Sequence, residues 1–332
     1  MFNINFIGVL LVVLWGHLSA FDQNNLILEW KAFKALHNIS YISEQHEQHR
    51  QNIFKENLRK VHQHNILYER GLRRYRLGVT PFSDLTNAEY KSILTYRSKT
   101  RQSRGLFQMP PNESFIATSI DWRKRGAVTR IKNQGLCGSC WAFSAIGCVE
   151  SHYFLKHNQL VPLSEQQLID CATDQYGAEG CNGGELDSGF KYIRDHGVES
   201  SADYPYKMTQ DTCRANEALP NITKILGLID IEKNNEEALK AAVALVGPIS
   251  VAFDASEPDL QFYKGGIYES KSCSQTEPNH AVLLVGYGSE QGVDYWIVKN
   301  SWGIHFGDQG YLYIRRGVNQ CCIACEASYP IL

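Results

Sequence analysis

Among ten cysteines and eleven histidines, Cys140 has the setting a nucleophile needs. It stands in Gln134-Gly135-Leu136-Cys137-Gly138-Ser139-Cys140-Trp141, behind a loop with two glycines and ahead of an almost wholly apolar run, Trp141-Ala142-Phe143-Ser144-Ala145-Ile146. A thiol attacks as its thiolate, and the N–H groups and partial positive charge at a helix N-terminus favour that form. The glycines let backbone donors approach a substrate carbonyl. Two other readings fit the same residues. Cys137 and Cys140 could form a redox pair, or half of a zinc site completed by Cys322 and Cys325. The 181 residues between those pairs exceed zinc-ribbon spacing, and no βαβ pattern supports a thioredoxin-like motif. His280 stands out because Asn279-His280-Ala281-Val282-Leu283-Leu284-Val285 places it at the mouth of an apolar strand. A lone histidine is otherwise structural or solvated. Asn300, in Val298-Lys299-Asn300-Ser301-Trp302-Gly303, could accept an imidazole N–H and fix the useful tautomer; otherwise it marks an ordinary turn.

The elements that must hold these residues are readable from hydrophobic period. Residues 140–156 read as a helix whose first turns are apolar all round, hence buried. Residues 163–168 open a second helix, with Ser164 as cap and Gln167 in the reciprocal position. From about Ile249 the pattern becomes strand-like, at 249–253, 281–285, 295–298 and 311–314. Further upstream, 25–36 and 43–68 read as helices, the second carrying Ile53, Phe54, Leu58 and Val61 at helical spacing and stopped by Gly71. Helices first and strands afterwards indicate an α+β protein with helices and sheet in separate lobes.

The segment around Cys140 resembles the active-site signature of papain and the lysosomal cathepsins, with His280 and Asn300 following 140 and 160 residues later. The resemblance covers about residues 26–332 and implies a cysteine endopeptidase of the cathepsin L-like subgroup, on a two-lobed papain-like fold. That fold joins a helical lobe with a long central helix to a β-barrel-like lobe. By the same resemblance Cys140 is the nucleophile, His280 its base and Asn300 the orienting group. Trp302 shields their hydrogen bond from water. The Gln134 side-chain amide and the Cys140 N–H hold the oxyanion, typically a term of about 3–4 kcal/mol per donor. The thiolate and imidazolium form an ion pair, and a thioester acyl-enzyme is then hydrolysed without metal or cofactor.

Cys181-Asn182-Gly183-Gly184 resembles the loop that pairs with the substrate backbone on the non-primed side; by itself it is also a plain Asn-Gly turn. Glu326 aligns with the floor of the pocket for the side chain two residues before the cut (P2), with Leu186 and Ala252 as walls, Glu185 near the rim and Asn279 beside the substrate. Relatives with Ala at that floor prefer bulky apolar P2 groups, and those with Glu also accept Arg; otherwise Glu326 is a solvated residue near the C-terminus. The resemblance implies disulfides Cys137–Cys181, Cys171–Cys213 and Cys273–Cys321. Cys148, Cys322 and Cys325 then remain beside Cys140. Three is odd, so at least one lacks an intramolecular partner. Cys322 sits where relatives commonly have Gly.

Arg50-x3-Phe54-x2-Asn57-x3-Val61-x3-Asn65 resembles the helical motif of cathepsin L-type propeptides, with His46 where that motif has Glu. Gly78-Val79-Thr80-Pro81-Phe82-Ser83-Asp84 resembles the second propeptide motif, with Thr80 in place of its Asn. The alternative is an amphipathic hairpin with no inhibitory role. The charges divide along the same line: 15 Lys and Arg against 9 Asp and Glu in 21–115, and 18 against 26 from Ile116 onward. A basic segment joined to an acidic one suggests electrostatic docking, with the propeptide as intramolecular inhibitor.

Residues 1–20 carry no charged side chain and read as a signal peptide cut near Ala20. Ten apolar residues fall short of the roughly 20 a membrane span needs, which disfavours an uncleaved anchor. The expected division is thus signal 1–20, propeptide 21–115 and mature domain 116–332, with an exposed basic linker over 97–111. Ten cysteines suit an oxidising compartment, and Asn38, Asn112 and Asn221 head glycosylation sequons. A net charge of −2 gives no case for nucleic acid. The expected product is a secreted, acid-activated, monomeric zymogen, acting on proteins and peptides in a lysosome, digestive lumen or other extracellular space. A catalytically silent binding protein on the same scaffold is disfavoured by Cys140, His280, Asn300 and Gln134 occurring together. An exopeptidase is disfavoured because no His-pair loop lies between Cys171 and Cys213.

Overall fold

The computed structural model describes residues 25–98, 105–215 and 221–332. The signal segment 1–20 and residues 99–104 of the basic linker lie outside the described residues. The chain opens with α1 (25–37) and α2 (Glu44–Glu69), the latter capped by Ser43, whose hydroxyl accepts the His46 N–H. Trp30 and Phe33 of α1 pack on Phe54 and Leu58 of α2, a small apolar cluster separate from the main core. Strand β1 (Tyr75–Leu77) and the short helix α3 (Asn87–Ser92) follow. A reciprocal Thr86–Glu89 capping box starts α3.

Three helices build one half of the remaining chain: α4 (Cys140–His157), α5 (Glu165–Cys171) and α6 (Leu186–His196). Every residue of α4 from Cys140 to His152 is buried, as its uniformly apolar opening requires. Ser164 caps α5 by accepting the Gln167 N–H, but the reciprocal bond expected from Gln167 does not form. The Gln167 amide instead accepts the Glu199 N–H and reaches the Tyr192 hydroxyl, because α5 is buried and its side chains serve neighbouring backbone.

The other half is built on a sheet. Its strands are β2 (Ile120–Asp121), β3 (Gly227–Asp230), β4 (Ile249–Phe253), β5 (Tyr263–Tyr268), β6 (His280–Glu290), β7 (Val293–Lys299), β8 (Tyr311–Arg315) and β9 (Glu326–Ile331). Helix α7 (Glu236–Leu245) flanks them. The order is β1-β5-β8-β7-β6-β4-β9-β3, with β2 pairing β6. Among the described strands, β5 and β8 are the one pair that runs parallel. Two apolar clusters result. One gathers α4–α6 and includes Ala252, Ala281 and Leu283 from the adjoining sheet; the other fills the sheet half. Tyr75, Leu77, Phe82 and Tyr90 of the N-terminal segment belong to that second cluster, and β1 extends the sheet by pairing with β5. The N-terminal segment is therefore built into the core of the lobe it covers.

Candidate active site

Cys140 is the first residue of α4 and is fully buried. Ser139 precedes it without a side-chain cap, so the first N–H groups of the helix stay available at the sulfur. Gly135 makes the turn before it at φ +63°, a conformation suited to glycine. Gln134 is also fully buried and is held at every polar atom. Its Nε2 donates to the Cys137 carbonyl at 2.9 Å, and its Oε1 accepts the Ser301 hydroxyl at 2.6 Å. Its N–H donates to Ser301 O at 2.8 Å, and its carbonyl accepts the Tyr206 hydroxyl at 2.7 Å. The second hydrogen on Nε2 is left for an oxyanion. Ser301 and Tyr206 were not picked out by the sequence. Ser301 lies inside the Asn300 motif, whereas nothing near Tyr206 marks it.

His280 begins β6, and its Nε2 lies 2.8 Å from Asn300 Oδ1. The same oxygen accepts the Ser301 N–H at 2.8 Å, which fixes it as the acceptor and places the imidazole hydrogen on Nε2. Nδ1 therefore carries the lone pair, and it is buried without a partner. Trp302 stacks on the ring with centroids 4.4 Å apart. Burial pushes the Cys140 thiol up to about 11, opposed first by the Ala281 backbone. Ala281 follows His280 in β6, so the sulfur lies against that strand. Burial likewise holds the His280 imidazole down to about 4, opposed by the bond to Asn300. Both shifts favour neutral forms. The ion pair expected from sequence is thus disfavoured in this covered state, because no water reaches either group.

The cover is the N-terminal segment. The Thr95 hydroxyl donates to Gly138 O at 2.8 Å, Tyr96 N–H to Asn279 O at 3.2 Å and Arg97 N–H to Gly184 O at 3.2 Å. A side chain at Gly183 would run into the Thr95 carbonyl, so this close approach depends on glycine. Arg97 pairs with Glu179 through two parallel bonds. Glu326, which opens β9 opposite Ala252, accepts the Tyr96 and Ser98 hydroxyls on its two oxygens. Leu186 and Ala252 are fully buried beside it in the same apolar cluster as Tyr96. Glu185 serves as the N-cap of α6. The Asn279 side chain bonds Asp254 and the Ala255 N–H, leaving its carbonyl to face the cleft.

A buried charge cluster that no motif signals lies behind the site. Lys132 Nζ meets Glu150 at 2.6 Å and Glu165 at 2.5 Å, and Thr129 donates to Glu150 at 2.5 Å. Lys299, adjacent to Asn300, donates to Thr129 at 2.8 Å and is held down to about 8 by burial.

The structure joins Cys137 to Cys181, Cys171 to Cys213, Cys273 to Cys321 and Cys322 to Cys325. Cys148 is left buried against the Pro248 carbonyl. Cys137–Cys181 ties the Cys140 loop to the Gly183-Gly184 loop. The sequon residues Asn38, Asn112 and Asn221 are exposed. Among the described residues no helix is long and apolar enough to cross a membrane, and no cluster of His, Cys, Asp and Glu is placed to hold a metal.

An asparagine-oriented imidazole, a cysteine at a buried helix head and a self-covering N-terminal segment define the zymogen of a cysteine hydrolase. Residues 116–331 match the sequence family described as papain family cysteine protease, and residues 30–90 match the cathepsin propeptide inhibitor domain. The chain belongs to the papain family of cysteine proteases and carries that inhibitor domain. It is 44% identical to cathepsin L of Sarcophaga peregrina, over 91% of this chain and 92% of the relative. With procathepsin L of Mus musculus it shares 45% identity over 94% of each chain. Digestive cysteine proteinase 1 of Homarus americanus is 43% identical over 91% of this chain and 94% of its own. The structure of digestive procathepsin L 3 from Tenebrio molitor larval midgut superposes with a TM-score of 0.84 at 41% identity, covering 92% of this chain and 99% of that one. The protein is accordingly a cathepsin L-like cysteine protease with its propeptide attached.

Proposed function

We propose that this protease is made as a secreted, acid-activated zymogen in which the prosegment blocks the cleft by running through it backwards. The direction of the covering strand carries this reading. A substrate presents its carbonyl to Cys140 and extends N-terminally towards Gly183, Gly184 and the Glu326 pocket. The prosegment passes Trp302 with Tyr90, reaches Asn279 with Tyr96, and only then meets Gly184 with Arg97 and Glu326 with Ser98. Residues nearer Glu326 are C-terminal, so the strand occupies the substrate's bonds in reverse.

Once the strand leaves, water returns to Cys140 and His280, and the shifts that hold them neutral relax. Cys140 then gives its proton to His280 Nδ1, and the thiolate attacks the peptide carbonyl. Gln134 Nε2 and the Cys140 N–H hold the oxyanion. His280 returns its proton to the leaving amine, and water hydrolyses the thioester. Glu326 forms the floor of the P2 pocket, with Leu186 and Ala252 as walls, and accepts Arg as well as apolar side chains. The mature enzyme begins near Ile116 and works as a monomer. Its secretory route, ending in a lysosome or digestive lumen, is supported by the disulfides, the exposed sequons and the digestive and procathepsin relatives.

An epoxide or vinyl-sulfone thiol trap tests the core of this. The precursor at neutral pH should resist labelling, and acid-processed enzyme should take up one trap per chain, on Cys140. Stoichiometric labelling elsewhere, or none after processing, would identify a silent scaffold.

A further inference from the structure

The Tyr206 hydroxyl links the two groups proposed to hold the oxyanion. It donates to the Gln134 carbonyl at 2.7 Å and lies 2.9 Å from Ser139 Oγ. A carbonyl only accepts, so the single phenol hydrogen belongs to Gln134, and the Ser139 hydroxyl donates to the phenol oxygen. Gln134 carries the side-chain donor, and Ser139 immediately precedes Cys140, which carries the backbone donor. Tyr206 is itself anchored from outside the loop it holds. Its ring meets Phe143 of α4 edge-on, centroids 4.9 Å apart. Gln166 of α5, fully buried, accepts the Lys207 N–H at 2.8 Å and donates to the Thr209 carbonyl at 2.7 Å, which pins the segment on either side of Tyr206. All these residues lie C-terminal to the prosegment, so processing leaves them in place. We propose that Tyr206 is a positioning residue for the reaction, aiming the Gln134 amide by keeping the Ser139 hydroxyl away from it. This rests on the oxyanion role proposed for Gln134.

The Cys137 carbonyl is where Tyr206 acts. That oxygen accepts Gln134 Nε2 at 2.9 Å and the Ser139 N–H at 2.8 Å, which occupies both its lone pairs. The first of these bonds aims the Gln134 amide and leaves its second hydrogen for the oxyanion. Ser139 Oγ lies 3.4 Å from the same carbonyl. While the phenol oxygen takes the Ser139 hydrogen, the hydroxyl does not compete for it. Ser139 is fully buried, and a buried donor left unpaired carries a desolvation cost larger than the net worth of its bond. Without the phenol oxygen its hydroxyl therefore turns to the Cys137 carbonyl beside it and displaces the Gln134 amide. The Gln134 carbonyl loses the phenol donor at the same moment, so both ends of that residue loosen. The oxyanion forms only on the way to the tetrahedral intermediate, so a misaimed amide lowers kcat and leaves KM in place.

The test measures kcat and KM on an amide reporter for mature wild type, Tyr206→Phe, Gln134→Ala and the double variant, each titrated at Cys140. Processing is completed by pepsin and stopped with pepstatin, so that slow variants mature too. Tyr206→Phe should lower kcat about five- to tenfold with KM unchanged, as the loss of a buried hydrogen bond allows. Gln134→Ala should lower it about a hundredfold. In the Gln134→Ala background, Tyr206→Phe should change kcat by less than about twofold, because the group it aims is gone. Alkylation of Cys140 by iodoacetamide, which forms no oxyanion, should keep its wild-type rate throughout. Combining Ser139→Ala with Tyr206→Phe removes the competing hydroxyl and should restore kcat severalfold, which a folding defect would not allow. A Tyr206→Phe kcat within about twofold of wild type overturns the inference. So does a loss that persists in full without Gln134, a parallel fall in alkylation rate, or no recovery on removing the Ser139 hydroxyl. If Gln134→Ala itself keeps wild-type kcat, the oxyanion reading fails and this inference falls with it.

Discussion

Replacing His37 with asparagine should lower the pH at which the precursor opens. His37 ends α1 of the prosegment and faces His305 of the mature domain, ring centroids 5.4 Å apart, with Phe33 on its other side at 5.1 Å. Lys264, also of the mature domain, donates to the His305 carbonyl at 2.7 Å. Arg76 of the prosegment adds positive charge near Lys264, and Asp308 opposes it. Burial, then His305 and Lys264, hold His37 down to about 4 from an ordinary 6.5. A depressed histidine binds its proton more readily once released. Docking is therefore strongest above about pH 6.5 and weakens as pH falls towards 4. The full shift would correspond to about 3.4 kcal/mol at 1.36 per unit. His37 is only half-buried, so screening cuts this to about 1–1.5 kcal/mol, or roughly five- to tenfold in the docking equilibrium. The assay is the rate of trap labelling at Cys140 in the full precursor across pH. His37→Asn should shift the midpoint down by about 0.5–1 unit, and His37→Arg should open the precursor near neutrality. An unchanged midpoint in both variants would refute the argument. This route differs from the neutralisation of acidic partners suggested by overall charge, because here acid adds charge to an already cationic contact.

Cys140→Ala should abolish peptide hydrolysis while leaving the precursor folded, with His280→Ala nearly as severe and Asn300→Ala milder, because Asn300 orients and does not react. Near-wild-type kcat in Cys140→Ala would sink the mechanism. Acid treatment should yield a product whose first residue lies between Arg104 and Thr118, read by N-terminal sequencing; a start within 26–84, or no processing at any pH, would count against zymogen maturation. Denatured, unreduced precursor should titrate two thiols, Cys140 and Cys148. Four would mean that Cys322 and Cys325 are not joined.

Much of this protein was legible in linear order. The helices at 25–37, 44–69 and 140–157 and four strands of the sheet fall within a residue or two of their expected positions at most ends, because apolar period is a local property. The β6 strand alone runs well beyond the expected 281–285. Helix α7 carries a readable signal of its own, an Asn235 cap before a run of strong helix formers. Strands β3 and β9 gave little signal, being short or interrupted by Pro330, and they form because β4 and each other offer partners. Cys140, His280, Asn300 and Gln134 could be chosen from sequence because each sits in a distinctive short motif. What held them could not.

Arg50 illustrates the limit. His46 stands where the propeptide motif has its acid, and the carboxylate that Arg50 meets is that of Glu89 at 2.9 Å, 39 residues away; Arg50 also bonds the Asp84 carbonyl. Thr80, in place of the usual Asn, donates to Gln261 O at 2.8 Å across the domain boundary. The pairing of Cys322 with Cys325, the hold of Ser301 and Tyr206 on Gln134, and the backward course of residues 95–98 were likewise decided only by tertiary structure. A motif states which groups are present and near one another along the chain. Which distant group satisfies a buried donor, and which way a strand lies in a cleft, depend on packing that brings residues over a hundred positions apart within 3 Å, and no local window contains that information.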